Sequence, residues 1–102
     1  MIELGGNIVL VGFRERDPAE LVVVKKIVGS YARKLADMKG DGFRKLTVTM
    51  KPVHKQEGSE KFEIHVKAEL DGKTETVILT DHNLFVVLDA ALKKLLSAVS
   101  LK

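Results

Sequence analysis

The residues best suited to chemistry in this chain are cations. Between Glu20 and Asp37 the only charged side chains are Lys25, Lys26, Arg33 and Lys34, and after Asp89 they are Lys93, Lys94 and Lys102. Such runs, with no acids between them, attract phosphate oxygens whatever the base sequence, and the attraction weakens as salt rises. Arg14 and Arg16 precede the first run, and Lys39, Arg44 and Lys45 follow it, in segments able to extend a shared basic surface. The plainer meaning of the pattern is solvation, because lysines on the outer face of a helix also keep it in water.

Other chemistries do not assemble. His54, His65 and His82 fall on a strand end, a strand and a loop. His54 and His65 can approach across a hairpin, but a metal site needs further ligands and an open position. With no cysteine there is no disulfide, thiolate metal site or thiol nucleophile. Ser30, Ser59, Ser97 and Ser100 lie in no strand-to-helix nucleophile turn. Gly40-Asp41-Gly42 lacks the residues and context of a phosphate loop and reads as a helix-ending turn. The expectation is a protein that is not an enzyme and holds no cofactor or metal.

The bulk numbers fit that expectation. At 102 residues the chain is expected to form one domain spanning 1–102 around one core. The balance of 17 basic against 14 acidic residues permits a nucleic-acid partner without demanding one. No apolar stretch reaches the roughly 18 residues of a membrane span. The N-terminus carries an acid where a signal peptide has basic residues. A cysteine-free chain suits a reducing cytoplasm, which is the expected location.

The cations need elements to position them. Ile8-Val9-Leu10-Val11 reads as a short strand with neighbours on both faces. After the loop Gly12–Asp17, Asp17 can cap a helix, Pro18 suits its first position, and Glu20 completes a capping-box-like spacing. The helix is predicted to run to about Met38, with an apolar stripe of Leu21, Val24, Ile27, Val28, Tyr31, Leu35 and Met38. Gly29 lies off that stripe, marking either a close approach by a partner or a tolerated flaw. Lys26 and Arg33 point directly away from the stripe, and Lys25 and Lys34 flank it.

Three strands are predicted next. Leu46, Val48 and Met50 alternate with polar neighbours, and Pro52 implies an edge position or a bulge. After a polar connection in Lys55–Glu60, apolar Phe62, Ile64, Val66, Ala68 and Leu70 alternate strictly with charged residues. Asp71-Gly72 is a favoured two-residue hairpin turn, and it sets Val66 opposite Val77 and Ile64 opposite Leu79. Asn83 then caps a last helix whose inner face is Leu84, Phe85, Leu88, Leu92, Leu95, Leu96 and Val99.

The order β-α-β-β-β-α, with two amphipathic helices and one alternating sheet face, predicts an α+β two-layer sandwich. Its four-stranded mixed sheet carries both helices on one face, in the manner of a double-stranded-RNA-binding domain. The first two strands are expected to be parallel through a right-handed crossover. The open sheet face, with Lys61, Glu63, His65, Lys67, Glu69, Thr74 and Thr76, mixes both signs and lacks the aromatics that stack bases.

The last helix carries a resemblance. Phe85, Leu88-Asp89, Ala91 and Lys94-Leu95 follow a pattern close to Asp-x-Tyr-x-Ala-Ile-Asp-x-Ala-x-x-Lys-Leu. That pattern belongs to the bacterial hibernation-promoting factor and ribosome-associated inhibitor family, which has the same order of elements. Here Asn83 stands for the first acid, and Val86 and Val87 stand where small residues are usual. The preceding Lys61–Asn83 also resembles the family's hairpin and approach to its last helix, so the likeness covers residues 44 to 98 well. Family members inhibit translation in the decoding region of the small ribosomal subunit, with basic helical side chains facing ribosomal RNA. The resemblance implies that role here, with Lys25, Lys26, Arg33, Lys34, Lys93, Lys94, Arg14 and Arg16 as the nucleic-acid-binding set. No second domain is expected, so the long factors that pair ribosomes through a C-terminal extension are not the counterpart.

A protein-interaction module remains open beside this. Val22, Val23 and Val86 fall outside the apolar stripes, and β-branched residues exposed on adjacent helices suit a homodimer contact, as does an edge strand.

Overall fold

A computed structural model of the chain describes residues 1–54 and 60–100, the side chain of His54 excepted. The polar connection over 55–59, Ser59 within it, and Lys102 lie outside the described residues. Among the described residues the sheet has five strands, where four were expected. β1 (Ile2–Leu4) forms a hairpin with β2 (Ile8–Val11) around Gly5 and Gly6, whose φ angles of 61° and 85° suit residues without a Cβ. A three-residue strand is too short to announce itself by alternation, so only this glycine turn marked it.

β2 lies parallel to β3 (Phe43–His54), joined through helix α1 (Pro18–Lys39) and a 3₁₀ turn at Gly40–Gly42. β4 (Glu60–Leu70) and β5 (Lys73–Asp81) complete the sheet in antiparallel fashion, in the order β1-β2-β3-β4-β5, and helix α2 (Leu84–Ser100) ends it. The hairpin register is the expected one, with Val66 opposite Val77 and Ile64 opposite Leu79. At Pro52, β3 has outrun β2, which ends opposite Thr49, so a residue without an N–H sits where only β4 is a partner. The one irregularity in the β3–β4 register falls instead between Phe43 and Lys45.

The helices cover one sheet face. Leu46, Val48, Ile64, Val66 and Ala68 are fully buried against Val24, Val28, Leu88 and Leu95. On α1 the buried face includes Ala32, while Met38 is 40% exposed and lies outside the core. On α2, Val87 and Ala91 are buried, and Phe85 and Leu96 are only partly so.

Two caps differ. Asn83 accepts the Val86 N–H at 3.1 Å, as expected. Asp17 makes no side-chain cap, and Glu20 turns to Arg16 at 2.9 Å instead of closing a capping box. Behind this lies Phe13, a loop residue that is fully buried and brings the Gly12–Asp17 segment down onto the core. A Cβ at Gly29 would meet nothing within 4 Å among the described residues, so none of them approaches it closely. No helix among the described residues is long and apolar enough to cross a membrane.

Candidate nucleic-acid interface

α1 and α2 lie side by side, and their shared groove is set by one polar contact. Tyr31 on α1 donates its hydroxyl to Asp89 Oδ1 on α2 at 2.8 Å. The body of Tyr31 packs on the core margin while its tip needs a polar partner. Asp89, the only acid of α2, supplies that partner from the flank facing α1. Sequence placed Tyr31 in an apolar stripe and Asp89 in a charge count, and it missed their meeting across 58 residues.

An open cleft of about 310 Å³ lies over this contact, lined by Lys26, Ile27, Ser30, Tyr31, Lys34 and Asp89. The Lys34 ammonium sits 4.9 Å from the centre of the Tyr31 ring. Helical steps of about 100° carry Arg33 to the outermost line of α1 and Lys93 to that of α2. Lys26, Arg33, Lys34 and Lys93 are all exposed and share the side of the helices turned from the sheet.

The other candidates are dispersed. The same steps put Lys25 on the flank of α1 away from α2. Lys94 lines a second cleft, of about 500 Å³, with Leu79, Ala90, Lys93 and Ser97 at the β5 side. Arg14 is exposed in the loop after β2. Arg16 is engaged in structure, paired with Glu20 and lying 5.1 Å from the centre of the Phe62 ring. Arg44 pairs with Asp71 at 3.0 Å, and Lys45 lies in β3 opposite Glu69. Among the described residues, none of Lys25, Lys26, Arg33, Lys34, Lys93 and Lys94 forms a salt bridge.

The histidines stand apart. The ladder sets His54 opposite Glu60 and His65 opposite Thr49, so the two positions are not partners across the hairpin. The His65 ring contacts Glu63 at 2.9 Å, and that of His82 contacts the Glu60 carbonyl at 3.0 Å. No group of three or more potential metal ligands occurs among the described residues.

Burial, then the hydrogen bond to Asp89 and its negative charge, push the Tyr31 phenol up to about 12 from its ordinary 10.0. Its folded pKa exceeds its unfolded one, so its stabilising contribution is complete below about pH 10 and is lost as pH rises through 12. Tyr31 is the single tyrosine and tryptophan is absent, so phenolate absorbance on alkaline titration reports this cleft alone. The expected midpoint is near 12, and Asp89→Ala should lower it without restoring 10.0, because burial persists. An unmoved midpoint would deny Asp89 its part.

No protein-family profile matches the chain, and no curated protein does. Solved structures do match. The Thermus thermophilus Protein Y N-terminal domain superposes with a TM-score of 0.60 at 16% identity, covering 90% of this chain and 91% of that one. A ribosomal subunit interface protein from Coxiella burnetii superposes with a TM-score of 0.55 at 16% identity, covering 94% of this chain and 97% of that one. The second of these is named for the ribosomal subunit interface. At such identity the likeness is one of fold, and function has to be argued from the surface.

Proposed function

We propose that the chain is a non-catalytic binder of ribosomal RNA on the small subunit, and that it modulates or silences translation from there. Binding is through the outer face of α1 and α2, in the cytoplasm, by a single unit spanning 1–102. The observation that carries this reading is the exposed group of Lys26, Arg33, Lys34 and Lys93, none in a salt bridge among the described residues. Support also comes from a protein of the same fold named for the ribosomal subunit interface. Lys25, Lys94 and Arg14 are outlying contacts in this account, and Arg16 acts by holding the loop that carries Arg14. The likeness to a double-stranded-RNA-binding domain is kept in one sense only: backbone phosphates are met by shape and charge rather than by base stacking. Sucrose-gradient sedimentation with ribosomal subunits tests it. Co-migration at low salt and release at high salt is the expected result, and absence from every ribosomal fraction at low salt would overturn it.

A second reading, a homodimeric interaction module with no RNA role, is favoured by Val22 at 56%, Val23 at 39% and Val86 at 54% exposure on the same helices. A dimer through those valines would cover the cationic surface. Salt-sensitive RNA binding by the monomer would exclude it.

A further inference from the structure

β5 closes the sheet as an edge strand. It pairs with β4 without interruption from Lys73 to Asp81 and contains no proline, so nothing in its backbone discourages a further strand. The two-residue turn makes Leu70 and Lys73 a hydrogen-bonded pair. Alternation then directs the backbone N–H and C=O groups of Thr74, Thr76, Ile78 and Thr80 to the open edge.

We infer that two copies of this chain join along this edge, β5 antiparallel to β5, about a two-fold axis at Val77. In that register Lys73 of each copy, which also pairs with Glu75 of its own strand at 2.8 Å, faces Asp81 of the other. Glu75 of each faces Leu79 of the other, beside the cleft lined by Lys93 and Lys94. On the open face Ile78, 52% exposed, is covered by Thr76 of the second copy. The competing register about Ile78 sets Glu75 against Asp81 of the other copy, a like-charge pair made twice. Charge therefore favours the axis at Val77 over that at Ile78, and the Lys73–Asp81 complement points to a second copy of this strand as the partner. This surface lies at the sheet edge and borders the proposed RNA-binding group only at Lys93 and Lys94, so its test does not depend on RNA binding.

Analytical ultracentrifugation over rising protein concentration is expected to show the mass doubling. Thr76→Pro removes an N–H that points outward, so the fold should persist by circular dichroism while the dimer is lost. Lys73→Glu should weaken association at least tenfold at low salt and less at high salt, because the repulsion from Asp81 of the other copy is screened. Val77→Cys should form a covalent dimer on mild oxidation faster than Ile78→Cys does, the chain having no other cysteine. A monomer at every concentration up to millimolar would overturn the inference. So would a dimer that survives both Thr76→Pro and Lys73→Glu, or faster cross-linking at Ile78.

Discussion

Gly12→Ala is expected to destabilise the domain by roughly 3 kcal/mol, the sum of two separable costs. Gly12 sits at φ 87°, where a side chain costs about 1–2 kcal/mol of backbone strain. Its Cβ would also run into the carbonyl oxygen of Met50, a backbone atom that cannot swing aside. Forcing them apart costs a further ~1–3 kcal/mol, as other over-packed sites do. The loop passes so close to β3 because Phe13, the next residue, is fully buried. Gly6→Ala is the control. Its φ is 85°, yet a Cβ there meets nothing within 4 Å, so only the strain is expected. Chemical denaturation followed by circular dichroism separates the two, and equal losses would refute the close-approach argument.

The combined reversal Lys26→Glu, Arg33→Glu and Lys34→Glu is expected to cut affinity for small ribosomal subunits by on the order of a hundredfold. Each exposed cation contributes roughly 1 kcal/mol through a charge-assisted phosphate contact, and about 3 kcal/mol corresponds to that factor. The slope of log affinity against log salt should shallow by roughly 3, one contact for each cation removed. Stability should hardly change. The three side chains are exposed and form no salt bridge among the described residues, so the reversal breaks no ion pair of the fold. Lys34 is partly different, because its ammonium lies over the Tyr31 ring, and a small loss is expected there.

Legibility in the sequence followed the range of each interaction. The β4–β5 hairpin was readable to the residue because strict alternation and Asp71-Gly72 fix a register locally. The Asn83 cap was readable for the same reason. β1 was not, being three residues long. Phe13 was missed because a lone aromatic in a loop has no periodicity, and its burial depends on Gly12 against Met50 far along the chain. The capping box failed because Arg16, held over Phe62, takes Glu20 first.

The candidate surface was legible in one respect only. Runs of cations without acids could be counted, but which flank of each helix meets the other could not. That choice belongs to Tyr31 and Asp89. It brings Lys26 and Lys34 into the groove and sends Lys25 and Lys94 to opposite sides. A helical wheel treats both flanks alike, so it joined residues that the packing separates.

The central claim is that a particular face, and not the chain's mild positive charge, meets RNA. The direct test compares two variants of equal charge change in binding to purified small subunits. One reverses Lys26, Arg33 and Lys34 on α1. The other reverses Lys45, Lys51 and Lys67 on the open sheet face, all three exposed. Binding lost in the first and kept within a few fold in the second is the predicted result; equal losses, or none in either, would contradict it.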